Sequence, residues 1–215
     1  MPLDEALPQE TSDEHLPSLL ADVEHLGAYR VIRVDANLSF PEPNFALMKY
    51  RSKATIEAVA PLRFVERRYH WSGSGIQNPP RILAQSCVGG ELHPVKHGPI
   101  YSVGTDKAFL IDLGKHVDAG EEVDVQVEIQ FIDEDGVFKP FYSRTAGPFL
   151  KQLSLSVSFE RPPTECFHTF RRNSDSEWSP RVAIQAVEDG GMQSFRFNEE
   201  PARRGKHKLV WGELA

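Results

Sequence analysis

The chain has 215 residues and a formal net charge of −7, with 40% hydrophobic and 26% charged residues. These values are typical of an ordinary globular protein that can bury its own core. The acidic balance argues against wholesale nucleic-acid binding, because that function needs a cationic face to displace counterions, so we expect no nucleic-acid partner. A local basic patch stays compatible with this net charge, which says nothing about how the charges are distributed. Two cysteines, Cys87 and Cys166, are too few for a secreted disulfide scaffold and favour a reducing compartment.

The start of the chain predicts a tail followed by one helix. Residues 1–12 are rich in acid and proline, so we expect them to be disordered. They lack the basic start and apolar stretch of a secretory signal, and no apolar run reaches the roughly 20 residues of a membrane helix. The sequence therefore predicts a cytoplasmic protein without membrane contact. Five apolar residues then recur with helical spacing and predict an amphipathic helix, namely Leu16, Leu19, Leu20, Val23 and Leu26.

After Gly27 the spacing of hydrophobic residues changes to two, which predicts strands with one buried face. The alternation is clearest at 32–40, 123–131 and 153–159. Aspartate–glycine turns, such as the one ending at Gly136, predict hairpins because they supply the positive φ angles of tight turns. Closely spaced glycines and prolines interrupt residues 72–100 and predict one long loop.

These elements predict a mainly β protein in which residues 13–215 form a single domain. We expect an antiparallel β-sandwich, or a flattened barrel, of roughly nine or ten strands with one N-terminal amphipathic helix. The arrangement resembles immunoglobulin-like sandwiches, which implies architecture but no particular function. The cysteine–tryptophan–cysteine order of true immunoglobulin domains is missing, because Trp71 precedes both cysteines.

Arginines and aromatic residues lie together at the end of one predicted strand. Arg67, Arg68, Tyr69 and Trp71 are the candidates for binding a partner or ligand, since guanidinium groups pair with carboxylates or phosphates. Period-two spacing places Arg68 on the opposite face from the other three. The alternative is that the rings belong to the core and the arginines pair with surface acids. A second basic run at 203–208 is likewise divided between two faces.

Three histidines are the candidates for a metal site. His93 and His97 have the i, i+4 spacing that presents two imidazoles to one metal on a helix, and His116 follows further along. However, Pro94 lies between the first two and Gly98 follows the second, so a regular helix is not expected. We therefore expect surface histidines and no metal or other cofactor.

The sequence supports three hypotheses about function. The leading one is a non-catalytic β-sandwich module that binds another protein, self-associates or assembles into a larger complex, because no acid–base pair, metal cage or phosphate loop is evident. The second is a small-ligand-binding protein with a pocket under the 72–100 loop. The third is a metal-assisted enzyme that uses His93, His97 and His116.

Overall fold

The computed structural model describes residues 28–43, 45–69, 73, 81–88, 91–103, 106–133 and 135–212. Within these residues the protein is mainly β, with sixteen strands and no helix. The predicted N-terminal tail and helix lie outside the described residues. No helix in the described ranges is long and apolar enough to cross a membrane.

The strands range from two to twelve residues in length. In chain order they are β1 Tyr29–Phe40, β2 Leu47–Ala58, β3 Leu62–Tyr69, β4 Arg81–Val88, β5 Glu91–Pro94, β6 Lys96–His97, β7 Tyr101–Val103, β8 Asp106–Val117, β9 Glu122–Ile132, β10 Phe141–Ala146, β11 Gln152–Phe159, β12 Cys166–Arg171, β13 Val182–Ile184, β14 Ala186–Asp189, β15 Met192–Glu199 and β16 Gly205–Trp211.

The clearest alternating runs are strands, as predicted. In β1 every second residue from Ile32 to Phe40 is buried, and β9 alternates in the same way from Val123 to Phe131. In β11 the apolar positions are fully buried while Ser154 and Ser158 are only half-buried. One apolar face per strand therefore supplies the core, because alternate side chains of a strand point to opposite faces of its sheet.

The chain divides into two compact units, the first drawn from residues 1–31, 54–71 and 82–127. In its described part, β3, β8 and β6 form one sheet, to which β7 adds by pairing with β8. A second set of strands follows the order β2-β9-β4-β5, in which β2 and β9 contribute only the parts that belong to this unit. The core of this unit contains fully buried side chains from both sets, among them Ile56, Val65, Phe109 and Ile111.

The second unit is drawn from residues 32–53, 72–81 and 128–215. One set of its strands follows the order β14-β15-β11-β1-β2-β9, and the other forms the four-stranded sheet β10-β16-β12-β13. The ring of Phe40 stacks on Phe159 with centroids 5.0 Å apart, and Trp211 of the four-stranded sheet meets both rings edge-on. Aromatic packing of this kind is a large contribution to core stability.

Several details of the predicted architecture were wrong. The sheet that contains β1 and β11 is mixed rather than antiparallel, because these two strands pair in parallel, and the sheets are open because each ends on edge strands. The described residues hold sixteen strands instead of nine or ten, since strands of two to four residues are too short to show a period. The predicted loop at 72–100 contains β4, β5 and β6, whose sheet partners satisfy the backbone despite the local glycines and prolines.

Candidate functional site

The structure separates the predicted arginine–aromatic cluster on β3. Arg67 is buried, at 6% exposure, whereas Arg68 is exposed and bonds the carboxylate of Glu66 on its own strand. Tyr69 is half-buried and meets Phe109 at 6.3 Å between centroids, and burial raises the pKa of its hydroxyl to about 12. Trp71 lies outside the described residues. The role of these four residues in binding stays a prediction.

Glu66 is the centre of a polar cluster in the first unit. Its carboxylate accepts hydrogen bonds from Arg68 and, at 2.7 Å, from the hydroxyl of Tyr101. Its backbone carbonyl accepts a bond of 3.2 Å from the hydroxyl of Tyr29. Burial and the bond to Glu66 raise the pKa of Tyr101 well above its ordinary value. This cluster is therefore a satisfied network that joins β1, β3 and β7.

The three candidate histidines do not form a metal site. Among the described residues, which include all three, no group of three or more His, Cys, Asp or Glu side chains is placed to hold a metal ion. His93 and His116 are exposed on β5 and β8, while His97 is buried on β6, with Nδ1 2.9 Å from the carbonyl oxygen of Gly98 and its ring against Phe109. The strands carry the three histidines to different surroundings, so nothing in their placement supports the hypothesis of a metal-assisted enzyme that uses them, and that hypothesis stays a prediction.

The four-stranded sheet of the second unit carries a cluster of cations on aromatic rings. The amino group of Lys208 lies 4.2 Å from the ring centroid of Phe141 and 5.1 Å from that of Trp178. The guanidinium of Arg171 lies 4.8 Å from Trp178, and that of Arg181 lies 6.0 Å from Phe167. Together with Lys206, these residues form what we call the basic–aromatic face: Phe141, Phe167, Arg171, Trp178, Arg181, Lys206 and Lys208.

Strand pairing brings the parts of this face together. Lys206 of β16 lies opposite Arg171 of β12, so the two side chains are cross-strand neighbours. Trp178 belongs to the connection after β12, which is fixed by hydrogen bonds between the backbones and side chains of Thr169, Phe170 and Ser179. These bonds hold the indole over the sheet, where it remains 37% exposed.

The positive charges of the basic–aromatic face have no acidic counterpart within the part of the chain that the structure describes. None of the four pairs with a carboxylate from the described residues. Burial and the positive charges of Lys206, Arg181 and Arg171 lower the pKa of Lys208. The face therefore concentrates positive charge on a chain whose net charge is negative.

A buried pair of histidines lies beneath the same strands. Nε2 of His207 donates to the carbonyl oxygen of Arg203 over 2.8 Å, so in the neutral ring Nδ1 carries no hydrogen. That nitrogen accepts a bond of 3.3 Å from Nε2 of His168, whose ring stacks on Phe197 with centroids 3.6 Å apart. Burial, followed by the nearby His207, lowers the pKa of His168 to about 4, and burial also lowers the pKa of His207.

A polar cleft of about 390 Å³ opens on the second unit, lined by strands β1, β2, β9, β11, β14 and β15. None of the lining residues that the structure describes comes from the 72–100 segment, under which the sequence placed a pocket. The lining combines serine and asparagine side chains with lysine, arginine and aspartate. The cleft is a second candidate site, formed by other residues and other strands than the basic–aromatic face.

Sequence reasoning missed most of the basic–aromatic face. The run at 203–208 contributes Lys206 and Lys208, which share one face because buried His207 lies between them. The other residues come from β10, β12 and a connection, so only strand pairing unites them. The regular lysine spacing in β16 was the one available signal.

No family model matches this sequence, and no curated protein matches it either. Among solved structures, the chain is similar to an M1 zinc metallopeptidase from Deinococcus radiodurans, with 13% identity and a TM-score of 0.48 over 85% of this chain and 42% of that one. It is also similar to a protein from Legionella pneumophila provisionally described as nutrient binding, with 10% identity and a TM-score of 0.47 over 85% and 67% of the two chains. This chain thus spans less than half of the peptidase, and likeness at these levels says nothing about activity.

Proposed function

We propose that the chain is a non-catalytic β-sandwich module that binds an acidic segment of another protein through the basic–aromatic face. The observation that carries this proposal is the set of four cations, Arg171, Arg181, Lys206 and Lys208, without a described carboxylate partner. Unneutralised cations on one face attract and orient a partner of opposite charge.

The aromatic rings favour a protein partner with fixed geometry over a diffuse counterion cloud. Rings beneath Arg171 and Lys208 restrict these cations to defined positions, which lowers the entropy lost on binding. Trp178 adds an exposed, amphipathic side chain of the kind that is enriched where proteins bind one another. Two free cysteines, Cys87 and Cys166, agree with a cytoplasmic location for such a module.

A labelled polyglutamate peptide is the first probe for this face. We expect fluorescence anisotropy to show binding at about 0.1 M salt that is lost at about 1 M salt, because exposed charges are screened over a few ångströms at the higher concentration. Arg171→Glu/Lys208→Glu should weaken binding at least about tenfold, since it replaces two cations of the face with two carboxylates, which repel the acidic peptide.

The matched control is Lys115→Glu/Arg161→Glu, which makes the same change in net charge at two exposed cations outside the basic–aromatic face. It should bind as the unmodified chain does, and circular dichroism should show that both variants are folded. Equal weakening by the two double variants would mean that net charge alone drives binding, which contradicts the proposal. Tighter binding of a single-stranded oligonucleotide than of the peptide would contradict it as well.

Affinity purification from the native host then tests the module in its own setting. A stoichiometric protein partner should be recovered with the unmodified chain and with the control variant, and lost with Arg171→Glu/Lys208→Glu. A partner that is retained by all three chains would bind elsewhere and would remove the basic–aromatic face from the proposal.

A further inference from the structure

We infer that the polar cleft of the second unit is a binding site for a small hydroxylated anion of the sugar-phosphate class. Its volume of about 390 Å³ falls within the range of roughly 300 to 1,000 Å³ that is usual for small-molecule sites. The site lies on other strands than the basic–aromatic face, so it is independent of the function proposed above.

The cleft exists because small side chains occupy the central strands of this sheet and long ones the flanking strands. Ladder pairing places Arg196 of β15 opposite Ser156 of β11, and Ser156 opposite Asn37 of β1. In a second row of the same three strands, Ser194, Ser158 and Ser39 lie side by side. Serine and asparagine leave the space that a row of larger residues would fill.

The small residues form a hydrogen-bonded floor. The amide nitrogen of Asn37 donates to the hydroxyl oxygens of Ser156 and Ser158 over 2.8 and 2.9 Å. Ser158 in turn donates to the hydroxyl of Ser194 over 3.0 Å. The floor is therefore pre-organised, and the amide oxygen of Asn37 remains as an acceptor, because no described group donates to it. Ser156 and Ser194 are buried within this floor, so the half-buried Asn37, Ser39 and Ser158 are the residues that can contact the hydroxyl groups of a sugar.

The flanks supply charges of both signs. Arg51 is held by the carboxylate of Glu128 over 2.9 Å, but Lys49 and Arg196 have no carboxylate partner among the described residues. Lysine and arginine on two sides of a cleft can bind one phosphate or carboxylate group. Asp35 lines the same cleft and can accept hydrogen bonds from ligand hydroxyls. The combination selects a ligand that carries hydroxyl groups and an anion together.

Isothermal titration calorimetry with the whole chain tests this assignment. The probes are glucose 6-phosphate, ribose 5-phosphate and N-acetylglucosamine 6-phosphate, with glucose and inorganic phosphate as the two halves of the ligand chemistry. We expect at least one sugar phosphate to bind at least about tenfold more tightly than either half, because both sets of contacts act on one molecule. Binding of phosphate as tight as that of every sugar phosphate would show a simple anion site and would overturn the inference.

Two double variants locate the binding. Lys49→Ala/Arg196→Ala should weaken the binding of the sugar phosphate at least about tenfold, because two charged hydrogen bonds to the ligand are lost. Lys115→Ala/Arg161→Ala removes one lysine and one arginine from other exposed positions and should leave binding unchanged. Arg171→Glu/Lys208→Glu should also leave it unchanged, which separates this site from the partner-binding face. Failure of all three sugar phosphates to bind, or equal binding to the cleft variant, would overturn the inference.

Discussion

Replacing His168 with glutamine tests whether folding holds a buried imidazole ring neutral. The ring is 5% exposed and donates through Nε2 to Nδ1 of His207. A proton added to His207 would go to Nδ1, so that two N–H groups would face each other across 3.3 Å. A glutamine at position 168 does not titrate but still offers an N–H donor to His207.

The magnitude follows from the lowered pKa of His168, about 4 in the folded chain against about 6.5 in an unfolded one. Because the folded state binds the proton less readily, the stabilisation is complete above about pH 6.5 and is lost as the pH falls towards 4. Lowering the pH from about 7.5 to about 5 should therefore reduce the free energy of unfolding by about 2 kcal/mol through this ring alone. The lowered pKa of His207 adds to the loss in the same direction.

Urea denaturation followed by circular dichroism at both pH values measures this loss. The unmodified chain should lose about 2 kcal/mol more than His168→Gln on going from the higher to the lower pH. His116→Gln is the matched control, because it makes the same substitution at an exposed side chain. Equal losses in the unmodified chain and in His168→Gln would refute the reasoning.

Three further outcomes are expected. Gly205→Ala should lower the unfolding free energy by at least about 2 kcal/mol in urea denaturation, because φ is +147° and the added Cβ would lie 2.4 Å from the carbonyl oxygen of Arg171. An unchanged denaturation midpoint would contradict this expectation. Phe159→Ala should cost about 3–5 kcal/mol in the same assay, since the ring is fully buried among other aromatic rings, and a cost below about 1 kcal/mol would mean that the site is not core. A thiol reagent should label half-exposed Cys87 first and Cys166 only on unfolding, because Cys166 is 1% exposed and burial raises its pKa to about 12. Equal labelling rates for the two cysteines in the folded protein would disprove the burial of Cys166.

The strands with long alternating runs could be predicted because their pattern is a local property. In β1, the positions from Ile32 to Phe40 alternate in sequence and are buried in alternation. The parallel pairing of β1 with β11 could not be predicted, since residues that pair side by side there are remote in the chain. The same holds for β4, whose backbone finds its partners in β9 and β5 despite an irregular local sequence.

Less of the candidate site than of the fold could be predicted from the sequence. Arg67 and Arg68 lie close to aromatic residues in the sequence, which predicts a binding patch, yet Arg67 is buried and Arg68 bonds Glu66. Arg171 and Lys208 are 37 positions apart in sequence but share the indole of Trp178 in the structure. A charge cluster built across a sheet leaves no continuous run in the sequence, and only strand register reveals it.

The parallel pairing of β1 with β11 also fixes the order in which the chain can fold during synthesis. Asn37 and Ser156, which lie side by side and share a hydrogen bond, are 119 positions apart. A ribosome must therefore release β11 before one edge of β1 can be covered, and that edge meanwhile offers unpaired backbone groups to other chains. Contacts of such long range make folding slow, and a nascent chain interrupted before β11 would be prone to aggregation.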